Sequence, residues 1–300
     1  MRNPCTADAT HNRRGSPVRH QRGFTLVELI MVIVIMGVIG GMVSVFMKGP
    51  IDAYFDSARR AALTDVADTV ARRMARDIQR ALPNSIRNPG DASNQCLEFI
   101  PTKTGGRYRS APDGSGAGDI LDFSTTDSSF NMLGLNSALR SDQRIVGSDV
   151  IAVYNLGISG SDAYTGVNTA VVSSASEGTP TLANETKITL TAGKQFPLVS
   201  GSSRFQVIPN DEKIVSFVCP TSTPGNLVRN ANYTYPASID ATTSCPTTGA
   251  ILAKNVTCTL VYSGSDLQRN AVVSMVLKVT DSSSGESVSL QHEVHVSNTP

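Results

Sequence analysis

Hydrophobic and polar positions divide this chain into stretches of different period. From Phe24 to Met47 nearly every residue is apolar, and Leu29 to Met47 is a run of 19 residues without a charge. As a helix that run measures roughly 28 Å, close to the hydrocarbon thickness of a bilayer. A helix buried in a soluble core would normally carry polar interruptions over such a length. Gly37, Gly40 and Gly41 weaken it slightly but let a second helix approach closely. Gly49-Pro50 predicts a kink or local melting, because proline removes a donor and crowds the preceding turn. A helical period then resumes at Leu63, Val66, Val70, Met74, Ile78 and Ala81 or Leu82. Asp68–Arg72 and Arg73–Asp77 stand four apart on the opposite side, where they add modest support. Met74 reads as core filler, the arginines as a solvated face, and Pro83 as the stop near Leu82.

Beyond Pro83 the period changes to two. Cys96–Ile100, Ile145–Tyr154, Thr186–Ala192, Arg204–Ile208 and Lys213–Cys219 read as strands. Thr104–Asp119, rich in glycine, reads as loop, and the Ser/Gly/Asn-rich stretch after Tyr154 as exposed. Pro220–Gly249 reads as a polar surface excursion carrying Tyr233 and Tyr235. The last fifty residues are clearest. Val256, Cys258, Leu260 and Tyr262 share one strand face, and Ala271, Val273, Met275, Leu277 and Val279 line a second. After a turn at Asp281–Gly285, Val288, Leu290, His292, Val294 and Val296 alternate with polar residues. This is an antiparallel meander with one face on a core, and its expected partner is the helix ending near Leu82, giving an α+β domain.

Charge is unevenly placed. The net charge is +1, but the first 23 residues hold five arginines and one acid, Asp8, which leaves 21 basic and 24 acidic residues beyond them. A nucleic-acid partner would want a basic face, and none is evident. The arginines precede the apolar run, so the N-terminus should stay cytoplasmic and the remainder cross the membrane. A secretory signal would show a small-residue cleavage site after its apolar run, and none stands near Lys48, so the anchor should be retained. Cys5 precedes the anchor; Cys96, Cys219, Cys245 and Cys258 follow it, where one or two disulfides are possible and three full pairings are open. Cys219–Cys245 or Cys245–Cys258 would close a local loop, the former stapling the polar excursion at its base. Cys96 would have to reach across the fold. The competing reading is that some are small buried apolar residues.

Candidate chemistry is sparse. His292-Glu293-Val294-His295 has a superficial likeness to a zinc-protease motif, but its histidines are three apart on a strand and face opposite ways. Asp113 and Asp119 lack the spacing of a calcium loop. There is no G-x-S-x-G, phosphate-binding loop or C-x-x-C, so neither a catalytic residue, a metal nor a cofactor is expected.

Glu28 is the informative residue. A carboxylate among apolar residues at a membrane boundary is costly unless protonated or paired. Cleavage after Gly23 would make Phe24 the N-terminus and Glu28 the fifth residue, on the face shared with the terminal amine. In a bundle of subunits the carboxylate of one could then neutralise the amine of its neighbour.

Arg22-Gly23-Phe24-Thr25-Leu26-Val27-Glu28-Leu29 resembles the processing site of type IV prepilins and type II secretion pseudopilins. The resemblance implies a pilin-like α+β fold: a cleaved leader (1–23), a transmembrane half-helix (24–48), an amphipathic half (49–83) and a periplasmic or extracellular β-rich domain (84–300). It implies cleavage between Gly23 and Phe24 by a prepilin peptidase, N-methylation of Phe24, and a need for Gly23 in cleavage and Glu28 in assembly. Val18–Gly23 would suffice as a basic leader, so a start at Met1 and an alternative start near Val18 both stay open. Gly49–Arg87, Val150–Gly157, Val215–Cys219 and His292–Pro300 are similar to the O group of minor pilins of the mannose-sensitive haemagglutinin (MSHA) pilus system. That implies a low-abundance subunit of pilus initiation or tip, in the inner membrane, with other pilins, an assembly platform and the lipid bilayer as partners. Two alternatives remain open: a J-type pseudopilin of type II secretion, and a membrane-tethered periplasmic binding protein contacting its ligand through the Tyr233/Tyr235 loop.

Overall fold

The structure, a computed structural model, describes residues 23–90, 93–178, 184–239, 245–264 and 270–300. The chain divides into two units, one ending at Ser57 and one beginning at Ala58. A helix, α1 (Leu26–Ile78), makes up most of the described part of the first and opens the second. It is assigned as helix through Pro50, so the melting expected at Gly49-Pro50 does not occur. Proline forfeits one hydrogen bond there, and the cooperative turns on either side carry the helix past it.

Twelve strands follow: β1 (Asn94–Phe99), β2 (Thr104–Arg107), β3 (Asp127–Leu133), β4 (Val150–Ala152), β5 (Thr169–Glu177), β6 (Glu185–Lys194), β7 (Arg204–Ile208), β8 (Val215–Pro220), β9 (Gly225–Ala231), β10 (Ala250–Ser263), β11 (Asn270–Thr280) and β12 (Ser287–Ser297). They form two six-stranded sheets, ordered β1-β8-β9-β10-β11-β12 and β2-β7-β4-β5-β6-β3. The strand pairings among the described residues are antiparallel, and the meander β10-β11-β12 is as the alternation predicts.

The first sheet packs on the last turns of α1. Ala67, Val70, Ala71, Met74, Ala75 and Ile78 are buried against Leu97, Phe99, Phe217, Leu260 and Met275. The alanines in this stripe leave room for the sheet's larger side chains, and Met74 fills the centre, fully buried. The helix ends at Ile78, short of the stop suggested at Pro83. Arg80 and Ala81 donate back only three residues, to Asp77 O and Ile78 O, and Leu82 N already donates to Ile100 O at 2.7 Å. Sheet pairing captures the backbone before the proline is reached. Arg229 on β9 fastens this corner, with Nε 2.8 Å from Asp77 and Nη1 2.8 Å from Glu212.

The second sheet was only partly legible. The glycine-rich loop opens with a strand, β2; the long strand read at Ile145–Tyr154 shortens to β4; and the polar stretch after Tyr154, expected to be exposed, contains β5, just as the Pro220–Gly249 excursion contains β9 of the first sheet. One bridge, Tyr108–Met132, brings the edge strands β2 and β3 together, so the sheet curls on itself around Tyr108, Phe130, Phe196 and Phe205. Leu82, Ile100, Ala152, Ala163, Ile208 and Ile214 form a smaller core joining the two sheets.

The cysteines pair as Cys96–Cys245 and Cys219–Cys258, so the expected staple between Cys219 and Cys245 is incorrect. The pleat explains why. Cys96 lies opposite Val218 and Cys219 opposite Gln95, so Cys96 and Cys219 face opposite sides of the sheet. Cys219 meets Cys258 in the core beneath α1, and Cys96 meets Cys245 beside Val218 on the far side.

The turn before β12 gives a prediction. Asp281 accepts from the Ser283 N–H and from the hydroxyls of Ser283 and Ser284, and these bonds hold its carboxyl below the usual range. A depressed folded pKa stabilises the fold above the unfolded pKa, and that contribution disappears as pH falls through the folded value. The Tm deficit of D281A should therefore be full at neutral pH and close below about pH 4. A deficit that stayed constant down to acid pH would show that the ionised carboxylate does not hold this turn.

Candidate processing and assembly site

Gly23, Phe24 and Thr25 precede α1, and Thr25 caps it. The Glu28 N–H donates to Thr25 Oγ1 at 3.2 Å, while Leu29 N donates to Thr25 O at 3.1 Å. Thr25-x-x-Glu28 is thus the Ser/Thr-x-x-Glu pattern of a capping box, a helix-start signal carried by the sequence itself. Glu28 also sits in the first turn, where the helix dipole favours a negative charge. Its carboxylate has no side-chain partner among the described residues. A side chain added at Gly23 would meet nothing within 4 Å among the described residues. The local fold therefore does not demand a glycine at 23.

Every residue from Gly23 to Ala62 is exposed, including Phe24 at 83%. The helix is long and apolar enough to cross a membrane, and the most apolar part of it is entirely unburied. Each large apolar side chain left in water forgoes roughly 1.5–3 kcal/mol. Gly37, Gly40 and Gly41 likewise have open space around them, room that an approaching helix can use.

The other residues singled out from sequence go elsewhere. Tyr233 and Tyr235 are not presented as a contact surface. Tyr233 donates to Glu98 Oε2 at 2.5 Å, and Tyr235 packs edge-on against Tyr164, with ring centroids 5.4 Å apart. Burial pushes all three phenols up. Arg87 lies 3.5 Å over the Tyr164 ring and pairs with Glu98 at 2.5 Å, so these aromatics bind the post-helix segment to both sheets. Beside them is a cavity of about 260 Å³ whose walls include Arg87, Asp162, Tyr164 and Tyr262. Asp113 accepts from Ser115 and Ala117, whereas Asp119 pairs with Lys187 at 3.1 Å. His292 is half-buried and His295 exposed, on opposite faces of β12. Arg22 and Cys5 lie outside the described residues.

Residues 18–44 match the family model described as the prokaryotic N-terminal methylation motif. No curated protein and no solved structure matches the chain. The matched segment contains Gly23, Phe24 and Glu28 and runs into the exposed apolar helix, ahead of an α+β arrangement of helix and antiparallel sheets. The front end of this chain therefore carries the methylation motif of type IV pilins and pseudopilins, on a pilin-like architecture.

Proposed function

We propose that this chain is a minor pilin of an MSHA-type pilus, cut between Gly23 and Phe24 and N-methylated on Phe24, and that it helps initiate or tip the filament. The observation that carries the reading is a methylation motif whose glycine meets no neighbour among the described residues, followed by an apolar helix that no described residue covers. Before assembly the helix is held in the inner membrane with the β domain periplasmic, as the preceding arginines direct. It leaves the bilayer only when neighbouring subunits replace the lipid contacts, so extraction needs an assembly platform. Glu28, free of side-chain partners among the described residues, neutralises the methylated amine of a neighbour.

Intact-mass and N-terminal peptide analysis of the membrane-derived protein tests processing. A chain beginning at N-methyl-Phe24 is expected, and G23L should keep its leader. A wild-type chain still carrying Arg22-Gly23 in the presence of an active prepilin peptidase would end the proposal. Assembly is tested separately: E28V should be cleaved and methylated normally yet be missing from sheared filaments. Incorporation of E28V at the wild-type level would remove Glu28 from the assembly mechanism. Immunogold labelling confined to pilus ends supports the tip reading, uniform decoration contradicts it, and copurification with a secretion apparatus in place of a pilus would favour the J-type pseudopilin.

A further inference from the structure

The curled second sheet is not closed along its whole length. Tyr108 N donates to Ser203 O at 2.8 Å, so the alternation of the antiparallel ladder turns the N–H and C=O of Gly105 and Arg107 away from β7. On that side β3 meets the end of β2 at the Tyr108–Met132 bridge and ends at Leu133, before reaching Gly105. A groove of about 480 Å³ remains, with Thr104, Gly105, Arg107, Leu133, Arg204 and Gln206 among its walls.

Three features of this groove are unfavourable while it is empty. Arg107 stands directly across from Arg204, and like charges at facing positions of a sheet repel. No acidic side chain among the described residues lines the groove. Arg107 Nε reaches only the Ser202 carbonyl at 3.2 Å, and the Arg204 guanidinium has no partner among the described residues. Gln206 Oε1 is buried without a hydrogen-bond partner among the described residues. Leu133 is 46% exposed at the end of β3.

We propose that this groove binds an extended acidic segment of a partner polypeptide. A carboxylate seats between the two guanidinium groups, main-chain groups meet Gly105 and the Gln206 amide, and an apolar side chain covers Leu133. A bare inorganic anion would answer the arginines but leave Gly105, Gln206 and Leu133 as they are. The inference does not depend on the pilin reading, since the groove lies wholly within the β domain.

The test uses the full chain in detergent and a fluorescent capped hexapeptide alternating glutamate and valine. Binding should weaken with added salt and be roughly tenfold weaker for R204E. A peptide alternating lysine and valine should gain on R107E/R204E what the glutamate peptide loses, a reciprocal switch that a misfolded chain cannot produce. Equal binding of a glutamine–valine peptide, or wild-type affinity in R204E, would overturn the proposal. Displacement of the peptide by an equal concentration of inorganic phosphate would overturn it too, by reducing the groove to a simple anion site.

Discussion

Replacing Cys219 and Cys258 with alanine should cost the β domain at least about 4 kcal/mol and leave it partly unfolded at 37 °C. The link spans 39 residues, and loop-closure entropy alone sets its contribution near that value. The second link, Cys96–Cys245, spans 149 residues, for which the same relation gives about 5 kcal/mol. Chain entropy therefore ranks Cys96–Cys245 first, but burial reverses the order. Cys219 and Cys258 sit in the core under α1 among Phe217, Leu260 and Leu277, and two alanines there leave a void that the packed helix cannot fill. Cys96 and Cys245 share only a small cluster with Val218 on the far face, where the sheet can relax toward solvent. The loops also interlock, since Cys219 lies between Cys96 and Cys245, so the two contributions will not add. Urea unfolding of the full chain in detergent, followed by near-UV dichroism, should give C219A/C258A the lower midpoint. A lower midpoint for C96A/C245A would mean that loop length outweighs core packing here.

The cysteines also show what the sequence could and could not reveal. Alternation made the meander β10-β11-β12 readable, because Val256, Cys258 and Leu260 face the core, as do Val273, Met275 and Leu277. Pairing needed one further fact, the register of β1 on β8, which no local pattern encodes; only with Cys96 opposite Val218 do the two cysteines fall on different faces. The second sheet hid for a related reason. β5 buries Ala170 and Val172 but otherwise leaves its residues largely exposed, and in the first sheet β9 likewise hides Leu227 and Val228 inside a polar stretch. β2 offers almost no side-chain pattern, since its Gly105-Gly106 pair is shaped by neighbours: a Cβ on Gly106 would come within 2.7 Å of the Phe205 ring. Composition favours a loop at such positions, and tertiary contacts override it. At the front end the reverse held. The spacing of Gly23, Phe24, Thr25 and Glu28 and the length of the apolar run are local properties, so they were legible without any fold at all.

The second large effect should come from Asp149, which falls inside the stretch Ile145–Tyr154 read from sequence as a strand and has no local pattern that marks it out. Its side chain is fully buried, and Lys103 Nζ lies 2.5 Å from Oδ2 with only 10% of the lysine side chain exposed. The same carboxylate accepts from Val146 N at 2.8 Å and Asn210 N at 3.0 Å. It thus ties the approach to β2, the start of β4 and the turn after β7 to one point. Removing it leaves a nearly buried ammonium and two backbone donors without partners, and such losses cost about 3–5 kcal/mol. D149A should unfold the second sheet at a midpoint far below wild type, while K103M, which leaves the carboxylate its two backbone donors, should lose less. The asymmetry separates the pair from its surroundings: adding K103M to D149N should recover stability, because the stranded ammonium goes with it. If D149A is as stable as wild type, the curl of the sheet rests on the Tyr108–Met132 bridge and the aromatic core. If the double variant is no better than D149N, the backbone donors around Asp149, and not its ion pair, are what hold the three segments together.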